Sequence, residues 1–363
     1  MLSSKSFGRK EIMTMATNIE NAPRIMIGRR GGRFALASER SPMVSRFLKG
    51  KSLAFAKGLI THLMGLCPVS HCEALEAACG GQLLRVSGCR VAIEAMLESV
   101  RVFAVDWQRH VSRVAINEAS LVELGQLRQR LYAALLTRSD NDTEQLFVDT
   151  QRFVRQFQIT YLPLFDALLK ATEPLEVLAS VPSKVLLTPA QFKTKATLEQ
   201  LLRQLQVDSF FAVTPRLDGV RLVGAVARAY DNGTLNQPVT MQSFVVQRWL
   251  ELSRWATMPM DATRDFAPNV FQLDQDWKVA VVETVRGPLM QAVKTDGAIL
   301  EDYHVIAPTE WAFQSEGILV EKLNEFISKT ALKGQALQEA LNLLASLFDA
   351  CTDVQVQMGE MHA

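Results

Sequence analysis

Most apolar positions in this chain recur at helical spacing. From Ser45 to Leu66, Phe47, Leu48, Phe55, Leu59 and Leu63 share one helical face. Glu73–Cys79 and Arg90–Val105 continue in the same style, the second carrying Val91, Met96, Leu97 and Val100. Ser120-Leu121-Val122-Glu123 has the form of a capping box, and the helix it opens would present Leu121, Leu124, Leu131 and Leu135 as one stripe. Helices are also expected over Thr143–Gln156 and Thr197–Leu205, and over Ile318–Leu347 with a break at Gly334. The Pro- and Lys-containing stretch Glu173–Thr194 reads as a connection.

The period changes late in the chain. Lys278-Val279-Ala280-Val281-Val282 and Tyr303-His304-Val305-Ile306 are short, β-branched and apolar, as strands are. Between them Asp296-Gly297, flanked by Val293 and Ile299, predicts a hairpin turn. The expected class is α+β and predominantly α, with a small antiparallel β element late in the chain. No internal repeat is present. Residues 1–24 are polar and read as a flexible tail. Arg29, Arg30 and Arg33, interleaved with Gly28, Gly31 and Gly32, read as a solvated loop.

Composition narrows the function classes. The 363 residues are 48% hydrophobic and 21% charged, with a formal net charge of +1, so no overall electrostatic argument points to nucleic acid. No apolar run of about 18 residues occurs, so no membrane span is expected. The first 25 residues lack the apolar centre of a secretory signal. Five cysteines in a chain of this length suit a reducing cytoplasm better than a disulfide framework.

Four segments carry candidate chemistry. Met64-Gly65-Leu66-Cys67-Pro68-Val69-Ser70-His71 ends an apolar helix with a cysteine four residues before a histidine. That pair offers a soft thiolate and a hydrogen-bond donor to a metal, or simply a small core residue and a packed ring. Cys72, Cys79 and Cys89 follow at spacings that match no zinc pattern and are expected to pack in the core. In Glu283-Thr284-Val285-Arg286-Gly287-Pro288-Leu289, Arg286 stands at a strand end before a sharp turn, where its planar fork would face an anion or solvent. Ala307-Pro308-Thr309-Glu310-Trp311 follows the second strand, and Leu347-Phe348-Asp349-Ala350-Cys351 lies near the C-terminus.

In order and spacing these segments resemble the large subunit of [NiFe]-hydrogenases over roughly residues 25–355. His62 to His71 overlays the family's R-I-C-G-V-C-T-x-S-H without a gap, and Phe47-Leu48-Lys49-Gly50-Lys51 resembles I-L-K-G-R. Glu283 to Gly287 is similar to E-A-P-R-G, Ala307 to Trp311 to V-P-T-T-W-N, and Phe348 to Cys351 to F-D-P-C. The resemblance implies a large-subunit-like helical core over 25–355 as one domain, followed by a C-terminal tail over 356–363.

It also implies a divided inventory. The family holds nickel on four thiolates, two of which bridge to an iron carrying two cyanides and one carbon monoxide. Cys67 matches a bridging ligand and Cys351 a terminal nickel ligand, but Met64 and Val354 stand at the other two positions. A thioether is a weak substitute and a valine is none, so no nickel and no hydrogen turnover are expected. Ser45 replaces the family's proton-handling glutamate, and Gln357 its C-terminal histidine. Arg286 and Thr309 match the residues that donate hydrogen bonds to the two cyanides, with His71 beside Cys67.

Such a pattern resembles accessory proteins of the HupK/HoxV type, hydrogenase expression/formation proteins. It implies a cytoplasmic scaffold, not an enzyme, that transiently holds an Fe(CN)2CO unit. The implied partners are the large-subunit precursor and the maturation proteins that assemble or deliver the iron.

Overall fold

The computed structural model describes residues 25–38, 43–64, 66–81, 85–111, 114–219, 221–273, 276–352 and 354–360; the tail expected over 1–24 lies outside them. The first element corrects the sequence reading. β1 (Ile25–Arg30) and β2 (Arg33–Ser38) form an antiparallel hairpin closed by Gly31-Gly32, whose φ values are 60° and 81°. Two glycines accept the positive φ that a two-residue turn demands, so the Arg/Gly cluster is a hairpin rather than a loop. Ile25, Ile27 and Phe34 are buried beneath it.

The next expected helix divides into α1 (Met43–Leu48) and α2 (Leu53–Leu63). Gly50, at φ +74°, breaks it, and the intervening backbone bonds Leu300 (Gly50 N–H to Leu300 O, 2.6 Å). α3 (Pro68–Ala78) and α4 (Ser87–Arg101) follow, and a π-helical turn over Val102–Trp107 ends α4 earlier than expected. α5 (Glu118–Thr137) starts before the expected capping box. Its cap is Asn117, whose carboxamide oxygen accepts from Ser120 N–H at 2.8 Å, so Ser120 lies inside the first turn.

α6 (Asp140–Thr160) and α7 (Leu162–Ala171) lead into the expected connection, which holds short 3-10 turns and α8 (Pro189–Phe192). α9 (Lys195–Val207), α10 (Ala225–Asp231) and α11 (Met241–Trp255) precede the main sheet.

That sheet is antiparallel, in the order β3 (Asn269–Gln272), β4 (Trp277–Thr284), β5 (Gly287–Asp296), β6 (Ile299–Ile306). Both expected strand segments lie within it, in β4 and β6. Asp296 pairs with Ile299, so the hairpin turns on Gly297-Ala298, one residue beyond the expected pair. Val279 and Val281 pack into a smaller core with Phe192, Leu201 and Trp311, while Ala280 and Val282 face the main helical core. Apolar side chains on both faces explain why β4 reads as a continuous run instead of an alternation.

α12 (Ile318–Lys329) and α13 (Gly334–Leu347) break at Gly334 as expected, where φ is +57°. The segment expected to be a tail from residue 356 is instead strand β7 (Val354–Glu360), parallel to β1 through Ile25↔Val354 and Ile27↔Val356. Val356 is buried, which anchors the strand to the core. No helix among the described residues is long and apolar enough to cross a membrane.

Candidate thiol site

Four distant segments converge on two sulfurs. Cys67 is the N-cap residue of α3, and its side chain makes no capping bond. The cap comes from α4: Glu94 accepts Val69 N–H (2.8 Å), Ser70 N–H (2.9 Å) and the Ser70 hydroxyl (2.5 Å). A carboxylate suits the positive end of a helix dipole, and it leaves the Cys67 sulfur available for another contact. Burial lifts Glu94 to about 7, against the hydrogen bonds from Ser70 and Val69.

That contact is Arg286. Thr284 pairs with Gly287, so Val285-Arg286 is the two-residue turn between β4 and β5. Thr284 Oγ1 accepts Arg286 N–H and donates to Gly287 O. Gly287, at φ +125°, lies so close to α10 that a Cβ there would come within 2.8 Å of Val223 Cγ2 and 3.0 Å of Gly224 N. The turn carbonyls are held from the helices. Arg228 donates to Thr284 O (2.9 Å) and Val285 O (2.8 Å), and Arg248 to Val285 O (3.2 Å). Glu251 and Glu283 hold Arg228 in turn, each at 2.6 Å.

So fixed, the Arg286 guanidinium points Nη1 at Cys67 Sγ (3.3 Å), Nε at Asp349 Oδ1 (3.2 Å) and Nη2 at Glu98 Oε2 (3.4 Å). Asp349 also accepts Arg248 Nη2 at 2.5 Å. Burial opposes the charges of this pair, but their mutual attraction and the neighbouring ions outweigh it: Arg286 is pushed further up and Asp349 held below the usual carboxylate range. Burial drives the Cys67 thiol well above its ordinary value, with Arg286 opposing and Glu94, Glu98 and Cys351 adding to the rise. Asp349 stands just past the end of α13 at φ +50°, where glycine is usual. The two arginines explain a carboxylate at that position.

Thr309, buried in the 3-10 turn after β6, sits with Oγ1 3.1 Å from Cys351 Sγ, and Cys351 is exposed. His71 lies beside Cys67 in sequence but turns away from it. Among the described residues its ring partner is Gln291, whose Nε2 lies 3.1 Å from Nδ1, and not the Cys67 sulfur. One helical turn beyond Cys67, the ring faces β5, where burial lowers its pKa to about 4. Gln291 Nε2 also donates to His71 O at 3.0 Å. Cys72 and Cys89 are buried in the main core and Cys79 packs against it.

The chain can now be compared with known proteins. No family model matches it. The hydrogenase expression/formation protein HoxV of Cupriavidus necator is 21% identical over 90% of this chain and 93% of its own length. An NAD+-reducing [NiFe]-hydrogenase shares the fold at TM-score 0.59 and 14% identity, covering 88% of this chain and 92% of its own. The Ni-Fe-Se hydrogenase of D. vulgaris Hildenborough aligns at TM-score 0.59 and 12% identity, over 90% and 94% of the two chains. The chain has the fold of a hydrogenase large subunit and is similar to HoxV over nearly its whole length.

The positions that depart from the large-subunit pattern lie within the described fold. Ser45 is buried, and its hydroxyl has no partner among the described residues. Met64 packs against the main core. Val354 is a sheet residue paired with Ile25, and Gln357 follows on the same strand. Among the described residues no three His, Cys, Asp or Glu side chains gather as a metal-holding group. The site brings together two thiols, a hydroxyl and a guanidinium paired with Asp349 and Glu98. Sequence reasoning gave no role to Glu94, Glu98, Arg248 or Asp349. The spacing of Arg90, Glu94 and Glu98 along one face of an otherwise small and apolar helix was the available signal.

Proposed function

We propose that this protein serves hydrogenase formation as a carrier of an Fe(CN)2CO unit destined for the large-subunit precursor. The observation that carries the reading is the pairing of each thiol with one hydrogen-bond donor: Arg286 on Cys67 and Thr309 on Cys351. An iron that brings three diatomic ligands needs few ligands from protein, and two thiolates suffice to hold it while leaving it releasable. Cyanide nitrogens bear negative charge, for which a buried guanidinium and a hydroxyl are suited donors. His71, held by Gln291 of β5, packs one helical turn beyond Cys67.

The thiol proton is part of this chemistry. A buried Cys67 thiol gives up its proton when it binds the iron, so loading releases protons and weakens as pH falls. Nickel, by contrast, would need the two positions taken by Met64 and Val354, and hydrogen turnover the carboxylate that Ser45 replaces. The protein acts as a cytoplasmic scaffold, working with the proteins that assemble or deliver the iron unit.

The test is anaerobic purification from cells expressing the maturation proteins, followed by infrared spectroscopy. Cyanide and carbonyl stretches that vanish in Cys67→Ser support the carrier. Their absence from the unsubstituted protein, with Cys67→Ser still supporting hydrogenase maturation, points instead to a metal-free mimic of the large subunit that docks maturation proteins.

A further inference from the structure

The arginine cluster near the start of the chain takes no part in the thiol site. Arg30 and Arg33 flank the turn of the β1–β2 hairpin as directly opposed residues, so both side chains leave from the same face of the sheet. Both are exposed. Like charges directly opposite on paired strands are destabilising, yet neither arginine forms an ion pair with a described residue. Glu360 reaches the tip from β7, but its Oε1 accepts Gly32 N–H at 3.4 Å. The arginines around the thiols differ, since Arg228, Arg248 and Arg286 each lie buried against a carboxylate.

The tip is also held in place. Gly31 and Gly32 take the positive φ of the turn, and Arg29 Nη2 donates to Gly32 O at 2.7 Å. With Glu360 on Gly32 N–H, the turn that sets the spacing of Arg30 and Arg33 is fixed from both sides. The next pair on the arginine face is Gly28 with Ala35, whose small size leaves room beside the two guanidiniums.

We propose that this hairpin tip is a docking surface for an acidic segment of a partner protein, with a carboxylate seated between Arg30 and Arg33. Each guanidinium offers two parallel N–H donors that match a carboxylate. A carboxylate between two such forks replaces their mutual repulsion by attraction to a shared anion. Protein carboxylates fit better than the phosphates of a nucleic acid or a membrane, because the positive charge is local. The whole chain carries only +1, whereas nucleic acid is held along a basic stripe and an anionic membrane by clusters of about 4–8 basic residues. β7 starts three residues after Cys351 and ends at the tip, so the tip lies roughly 20 Å along that strand from its Cys351 end, at about 3.3 Å per residue. A partner segment can dock there without touching Cys351, and the inference does not depend on the carrier reading.

The test uses the full chain and a fluorescein-labelled hexaglutamate peptide, with binding read by fluorescence anisotropy at low and raised salt. Arg30→Gln/Arg33→Gln removes the tip charges. Arg203→Gln/Arg216→Gln removes the same net charge from two exposed arginines elsewhere. Binding that weakens with salt, is about tenfold weaker in the tip variant, and is unchanged in the control supports the proposal. Because the opposed pair is destabilising, each single tip substitution should also raise the melting temperature.

Equal affinity in the tip variant and the unsubstituted protein, or no binding of hexaglutamate by either, would overturn the docking surface. So would loss of oligouridylate or phosphatidylserine-vesicle binding in the tip variant while hexaglutamate binding persists, which assigns the tip to phosphate. A lower melting temperature in both single variants gives the pair a structural role and overturns the view that it is kept for a partner.

Discussion

Arg286 Nη1 lies 3.3 Å from Cys67 Sγ, and the same guanidinium is paired with Asp349 at 3.1 Å. One side chain thus sets both the electrostatics of the thiol and the position of the C-terminal segment that carries the second sulfur. Removing one partner of a buried ion pair costs about 3–5 kcal/mol, because the other charge is left uncompensated. Arg286→Gln is therefore expected to lower the free energy of unfolding, measured in urea, by that scale. It also removes the charge that opposes the rise of the Cys67 thiol, so alkylation of Cys67 slows in the native state. Arg286→Lys keeps the charge but loses the planar fork, and should fall between the two proteins. A Gln variant as stable as the unsubstituted protein would contradict this account.

Asp349 combines a backbone cost with an electrostatic gain. A left-handed residue other than glycine costs roughly 1–2 kcal/mol, and two buried arginines hold the carboxylate there. Asp349→Ala loses the ion pairs and keeps the backbone cost. Asp349→Gly loses the ion pairs but relieves the backbone. Both are expected to destabilise, with Ala the worse by about 1 kcal/mol in equilibrium urea unfolding. Equal stabilities for the two would mean that the left-handed backbone carries no cost here.

The β4–β5 turn depends on close approach. A Cβ at residue 287 would meet Val223 and Gly224 at 3.0 Å or less, and φ there is +125°. Gly287→Ala should cost about 2–4 kcal/mol and displace Arg286 from Cys67. Thermal unfolding measures the first effect, and a changed Cys67 alkylation rate reports the second. Arg228→Lys acts on the same turn from the other side, since an ammonium cannot hold Thr284 O, Val285 O and two carboxylates at once. Its melting temperature should drop while Cys351, held by a different element, reacts as before.

What could be read from the sequence follows from how local each cause is. Strands β4 and β6 and the break at Gly334 were legible because side-chain pattern and turn chemistry lie within a few residues. The β1–β2 hairpin escaped because Arg29, Arg30 and Arg33 masked a Gly-Gly turn that was itself the signal. β7 escaped because its reason is parallel pairing with a strand more than 300 residues earlier. At the candidate site, Cys67, Arg286, Thr309 and Cys351 were singled out by motif, and the structure brings Arg286 to Cys67 and Thr309 to Cys351. Glu94 and Glu98 were passed over because their helix was read only through its apolar positions. Their burial is decided by the amides of α3 and by Arg286, which no window along α4 contains.

The pH dependence of stability separates two buried groups of opposite sign. Burial lowers His71 from 6.5 to about 4, so as pH falls the unfolded chain takes up the proton first. Its contribution is complete above pH 6.5 and is lost as pH falls toward 4. Burial raises Glu94 from 4.5 to about 7, so its contribution is complete below pH 4.5 and is lost as pH rises through 7. Between these limits the two slopes oppose, and the raw profile conceals both. His71→Gln removes one titration and leaves the other, so the stability difference between the two proteins isolates His71. At about 1.4 kcal/mol per unit of pKa, that difference should shrink by roughly 3 kcal/mol between pH 7 and pH 4. Urea unfolding at both pH values measures it. A difference independent of pH would mean that the ring is not held neutral by burial against Gln291.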